Sequence, residues 1–544
     1  MNPKIKEALS NTKTGDVELY FDELSKIIEK NSGTHENKLI IADCYNVPAP
    51  VALGNYTYFK LSDANCDIIS LDKSYITAKM HYDMSFSTSE AISTANDTIQ
   101  LFVGFKSGIH IIDEYRIYVN GQLRTQQTKA LHENAIVSMF KCNEELRNRP
   151  HMYTRWDDAH NYSQNVCGVY VPIGNMLASS DSSDHKTIGF SVDFEVNMQL
   201  DDLLPFSGMT MFPNFLTGDL EIQIKQTIMG NIVYCVVNPN VVRKYQVDSG
   251  IISAGSSVAA STIKDYVYTH EFTQVGDSIK FPSLAKSEGV AATLTCRNGT
   301  LKEGKSYVYG FRIKDSVKQS LINKFSDKPI IIPAQTSTWN TLPQVPTQTG
   351  IRANLTTAFS NCTNLCFTFP RTSNEITISK NPHLDILQCR VNNQLWPEKP
   401  LESTSAGFKE LMITNAGLDS LFSAPKSFTH SLQDDEYTYA TNGSVSSRKM
   451  TSRDGTDFVF NIALERLSGA GTYFDGLDSN GSNLQVNLDG INSASGNNPY
   501  IYPVSGGSIN PNCVNMYQIS DAFWIIGRGV CEFTGERSVA SITE

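Results

Sequence analysis

The sequence predicts an all-β protein, two antiparallel jelly-roll β-sandwiches in tandem behind a short N-terminal helical arm. Three observations carry that expectation. A two-residue hydrophobic period persists through most of the chain, and a set of features returns in the second half in the same order. The length is 544 residues, beyond the roughly 250–300 at which a single core stops growing.

The arm comes first. Residues 16 to 30 read as a helix, with Asp16 as N-cap, Glu18 in the first turn and Asn31-Ser32-Gly33 as the stop. Val17, Tyr20, Leu24, Ile27 and Ile28 share one face. The other carries Glu18, Asp22, Glu23, Lys26, Glu29 and Lys30, a net negative face of the wrong sign for an anionic membrane. A protein groove is the expected seat.

Beyond residue 36 the period changes to two. Phe190, Val192, Phe194, Val196, Met198 and Leu200 alternate with Ser191, Asp193, Glu195, Asn197 and Gln199, so one face of that strand is buried and the other wet. Leu220, Ile222 and Ile224 repeat the pattern, as do Phe458, Phe460, Ile462 and Leu464. Half-buried antiparallel sheets packed face to face satisfy it.

The repeat is clearest at Val119-Asn120-Gly121-Gln122-Leu123, which returns 272 residues later as Val391-Asn392-Asn393-Gln394-Leu395. Leu101–Phe105 is matched to Cys366–Pro370, the Phe190 strand to the Phe458 strand, Leu220 to Leu484, and Asn231–Val237 to Asp521–Gly527. A helical pattern follows each pentapeptide, through Ala135, Ile136, Met139 and Phe140, and through Phe408, Leu411, Met412 and Leu418. Ser249 to Ser261 is rich in small residues, as linkers are. The expected division is therefore an arm over 1–36, a first roll over 37–250 and a second over 251–544. Long polar segments at 156–186, 430–457 and 489–513 read as functional loops rather than crossover helices.

Composition excludes several classes. The net charge is −11 with no basic run, so direct binding to a nucleic-acid backbone is not expected. No stretch reaches the ~18–20 apolar residues of a membrane span, and the sequence after Met1 lacks a signal peptide's apolar core. Synthesis in a cytosolic or nuclear compartment is the expectation. The odd count of 11 cysteines, without finger-like spacing, reads as reduced thiols in the core.

Motif matches dissolve on inspection. Gly299–Ser306 fits G-x-x-x-x-G-K-[ST], but Tyr307, Val308, Tyr309 and Phe311 follow where a phosphate loop needs a helix. A glycine-rich hairpin turn between Ala291–Cys296 and Ser306–Ile313 is expected, with Lys305 on it. Asp478–Gly481 lacks the opening and closing ligands of a calcium loop, and Arg453-Asp454-Gly455 is a tripeptide in a polar loop. His132 and His151 are the histidines expected nearest a common element. No catalytic, cofactor-binding or metal-ligating residue is assigned, and no enzyme activity is expected.

Phe367–Thr372, Asn381–Pro397, Leu418–Phe422 and Asp521–Trp524 together resemble double jelly-roll major capsid proteins of Polinton/Maverick elements, polinton-like viruses and virophages. The resemblance covers most of the chain from about residue 40. It implies a homotrimer whose six rolls form a pseudo-hexagonal tile of an icosahedral capsid. Neighbouring trimers, penton proteins and minor capsid proteins are the implied partners, the virion the location and host cytoplasm or nucleus the place of synthesis. The competing class is a β-sandwich surface protein that binds a receptor or carbohydrate through its loops. The duplication argues against it.

Overall fold

The structure, a computed structural model, describes residues 36–43, 51–62, 66–89, 100–140, 167–173, 187–207, 209–227, 231–237, 268–269, 273–283, 286–327, 329–342, 351–355, 361–370, 386–391, 394–401, 436–441, 444–451, 458–464, 484–489, 502–504, 507–509 and 514–534, with a few isolated positions between them.

In the first roll the labelled elements are β1 (Glu36–Asp43), β2 (Tyr56–Lys60), β3 (Ile68–Thr88), β4 (Gln100–Gly104), β5 (Ile112–Val119), β6 (Gln122–Gln127), helix α1 (Ala130–Phe140), β7 (Gly168–Pro172), β8 (Thr187–Gln199), β9 (Leu220–Gln226), β10 (Val233–Val237) and β11 (Lys286–Arg312). Helix α2 (Asp315–Asp327) leads to the second roll. There follow β12 (Ile330–Leu342), β13 (Ile351–Leu355), β14 (Cys362–Thr368), β15 (Ile386–Val391), β16 (Gln394–Leu401), β17 (Glu436–Thr441), β18 (Ser444–Thr451), β19 (Phe460–Ala463), β20 (Leu484–Asp489), β21 (Val514–Gly527) and β22 (Val530–Thr534).

The two halves share one wiring plan. One sheet of the first roll contains the ladder β1-β11-β3-β8, and the other runs β2-β9-β5-β6. In the second roll the sheets run β12-β21-β14-β19 and β13-β20-β15-β16. Numbering eight strands per roll in chain order, both halves read 1-8-3-6 and 2-7-4-5. The antiparallel partners are therefore nested, first with eighth and fourth with fifth at the limits, as when one long hairpin is rolled across two sheets. That order defines a jelly roll, and here it occurs twice.

Alternation decides which face of each strand turns inward. Met80, Tyr82, Met84 and Phe86 of β3 are buried, opposite Phe194, Val192, Phe190 and Ile188 of β8. Lys79, His81 and Asp83 take the outer face, opposite Glu195, Asp193 and Ser191. Tyr82 and Phe194 stack inside, their centroids 5.5 Å apart. Apolar burial of this kind is worth about 25 cal/mol per Å² and supplies most of the stabilisation.

The first roll carries an extra sheet in the order Thr273–Gln274, β10, β4, β7. Its strands arise in the connections after β3, before β8 and before β11. Those connections lie at one end, because Ser87 near the close of β3 is paired with Thr187 at the start of β8 and with Thr293 near the start of β11. Both rolls point this end the same way. Tyr268–Thr269, from the connection before β11, pairs in parallel with Met450–Thr451 of β18. At the opposite end, Gly529 N–H donates to the Leu216 carbonyl, and Trp524 Nε1–H donates to the Pro205 carbonyl at 2.6 Å.

Several expectations change. Asn231–Val237 and Leu101–Phe105 fall on β10 and β4, in the extra sheet, whereas their supposed counterparts fall on β21 and β14 of a main sheet. A short apolar run carries no mark of the sheet it joins. Residues 292 to 312, placed in the second roll by the division at 250/251, are paired with β1 and β3 of the first. The phosphate-loop lookalike is no turn: Gly299 to Ser306 lies within β11, paired with residues Tyr82 to Ile76. Its Gly299 is required by close packing, since a Cβ there would lie 2.4 Å from Leu53 Cδ1 and 2.8 Å from the Tyr82 ring. Residues 16–30, 249–261 and 478–481, the Arg453-Asp454-Gly455 tripeptide and His151 lie outside the described residues.

Candidate functional site

The most developed polar site is the junction between the rolls, built around α1. This helix follows β6 and lies on the outer face of the second roll's β12-β21-β14-β19 sheet. Ile136 of α1 packs with Cys366, Val459, Tyr517 and Ile519, and the partly buried Trp339 closes the cluster. Strand β21 is consequently buried along nearly its whole length, with Met516 facing its own roll's core and Tyr517 facing α1.

Two neighbouring side chains of α1 reach across. Glu133 is buried and accepts from Tyr115 O–H at 2.6 Å, Gln127 Nε2–H at 2.8 Å and Ser337 O–H at 2.8 Å. Gln127 also donates to the Ser337 carbonyl at 3.0 Å. Burial raises the Glu133 carboxyl above its ordinary 4.5, and these donors only partly oppose that rise. His132 stacks on Trp339 and approaches Tyr517 O–H through Nδ1 at 3.3 Å. Burial, helped by Lys129, pushes its pKa down to about 3, so the ring is neutral at pH 7. A buried carboxyl held by donors from both rolls, as Glu133 is, fixes one relative placement of the two surfaces.

A second lock sits at the end opposite the extra sheet. Trp524 is fully buried, stacked near-parallel on Phe206 at 6.2 Å and tilted against Phe533 at 4.9 Å. Helix α2 is tied to the first roll, since Asp67 accepts from Lys318 Nζ at 2.6 Å and from the Ile313 N–H at 2.9 Å. Leu321 and Phe325 bury its apolar side.

The sequence places α1 through Ala135 and Ile136 but gives no sign that His132 and Glu133 meet Trp339, Ser337 and Tyr517. Their only local signal is an ionisable pair set among apolar helix positions. Lys305, expected on a turn, lies on a strand and pairs with Glu303 at 2.5 Å. Cys66, Cys167, Cys362, Cys366, Cys389 and Cys531 are buried thiols outside any disulfide, and Cys296 is partly exposed. Among the described residues no group of three His, Cys, Asp or Glu side chains is placed to hold a metal ion, and no helix is long and apolar enough to cross a membrane.

This arrangement defines a class: a tandem double jelly roll with its halves locked side by side. No family model matches the chain, and no curated protein matches it. Among solved structures, a chain from the Sputnik virophage is similar, at 10% identity over 92% of this chain and 88% of that one, with a TM-score of 0.49. A chain from the capsid of PBCV-1 virus matches at 10% identity over 92% and 97%, with a TM-score of 0.44. The mavirus major capsid protein matches at 9% identity over 92% and 90%, with a TM-score of 0.37.

Proposed function

We propose that this chain is a major capsid protein whose homotrimers form pseudo-hexagonal tiles of an icosahedral viral shell. The observation that carries the reading is the repeated eight-strand order in two rolls held side by side and the same way up. A cyclic trimer of such chains offers six similar edges, and the junction at α1 supplies the rigidity a tile requires. The chain acts by geometry and performs no catalysis.

In this reading the ends with the inserted strands face outward, and the β17–β18 hairpin forms part of a projecting tower. The opposite ends face inward. We place the division between the rolls on α2, after the last strand paired to the first roll. The helical arm seats on a neighbouring tile or an internal minor protein, and penton and minor proteins complete the shell in the virion. The protein is made in the host cytoplasm or nucleus.

The test is to express the chain with an epitope tag after Asn442 and image the product by negative-stain electron microscopy. Closed shells, or three-fold tiles with six lobes, that bind the antibody while intact are expected. Separate two-lobed particles would overturn the reading, and a tag reached only after disruption would reverse its inside and outside.

A further inference from the structure

The repeated pentapeptide occupies the same place in both rolls, at the β5–β6 and β15–β16 hairpins, with Val119 paired to Gln122 and Val391 to Gln394. Folding explains part of it. Both valines are fully buried, and Asn120 and Gly121 have φ of 52° and 72°, as a two-residue type I′ hairpin demands. Folding does not explain the rest. Gln122, Leu123, Gln394 and Leu395 are all exposed. Leu123 is 47% exposed and Leu395 43%, two of only four exposed large hydrophobics among the described residues. Arg124 Nη2 donates to Gln122 Oε1 at 2.6 Å, leaving the Gln122 amide nitrogen for an outside acceptor.

We propose that these two Gln-Leu tips are a repeated contact with a second copy of this chain, the tile-to-tile contact at the inner end of the shell. The inference rests on the capsid reading. A surface pair at equivalent positions of two otherwise diverged rolls calls for a partner that offers the same surface twice. A neighbouring copy, which itself carries the pair twice, meets that requirement in a self-complementary way. Size points the same way. One leucine and one glutamine on a hairpin tip cover a small part of the ~1,200–2,000 Å² that a stable standalone complex needs. A contact made six times around a tile adds by multivalency.

The experiment compares full-length wild type with Leu123→Ser, Leu395→Ser and the double variant, following trimers by sedimentation and shell formation by light scattering against concentration. Both positions are exposed, so trimers and melting temperature are expected to stay as in wild type. The concentration needed for assembly should rise about tenfold or more in the double variant, with the single variants between. A double Leu→Ile variant should assemble as wild type does. Unchanged assembly of the serine double variant overturns the proposal, as does loss of its trimers, which would put the tips inside one tile. Normal shells that lose another virion protein would assign the tips to that protein and also overturn it. Failure of the wild type itself to form trimers would instead sink the capsid reading.

Discussion

His132 of the first roll lies flat on Trp339 of the second, the ring centroids 4.0 Å apart and the planes 17° from parallel. The contact joins residues 207 positions apart in sequence, and burial keeps the ring uncharged at neutral pH. Lys129 Nζ lies 5.6 Å from the same indole, so a proton on His132 would add a second cation beside it.

Acid should therefore loosen the junction. The folded pKa of His132, about 3, lies below the ordinary 6.5, so its contribution is present above the ordinary value and is lost as pH falls toward the folded one. At pH 4 the loss amounts to roughly 3 kcal/mol. Denaturant unfolding of His132→Gln at pH 7 and pH 4 should show a smaller acid penalty than wild type. An equal penalty would mean that the ring is not the titrating group.

Glu133 acts in the opposite sense. Its folded pKa is raised above 4.5, so its contribution is full below that value and is lost as pH rises through the folded pKa. Glu133→Gln should remove that part of the pH dependence and keep the rolls docked, because the Tyr115 and Ser337 hydroxyls can reorient. Glu133→Ala takes the acceptor from the Tyr115 and Ser337 hydroxyls and from one N–H of Gln127, and should cost about 2–4 kcal/mol. Equal stability of the Ala and Gln variants would contradict the network.

Trp524→Phe removes the donor to Pro205 and opens space beside Phe206 and Phe533. A loss of about 2–3 kcal/mol is expected in denaturant unfolding. Proteolysis should cut between the rolls more readily than in wild type. A change within about 0.5 kcal/mol would show that this lock does not couple them.

What the sequence made legible was local. Val119–Leu123 and Val391–Leu395 were found because turn chemistry and a buried valine leave a short, fixed signature. The strands at Leu220 and Leu484 were found by alternation, and both are seventh in their rolls. Pairing over long range was not legible. Gly299–Ser306 resembles a turn because glycines break patterns, yet Gly299 accommodates Leu53 and Tyr82 from distant segments. The division near Gly250 follows loop composition, while the ladder from Ala292 to Arg312 is set by partners more than 200 residues earlier. The junction was invisible for the same reason, since nothing near His132 in sequence indicates Trp339.

The central claim is that three copies of this chain make one tile. Sedimentation equilibrium of the purified full-length protein at micromolar concentration tests it most directly. A single species at three times the 60.2 kDa chain mass is predicted, unchanged on dilution across the micromolar range. A clean monomer over that range would contradict the account.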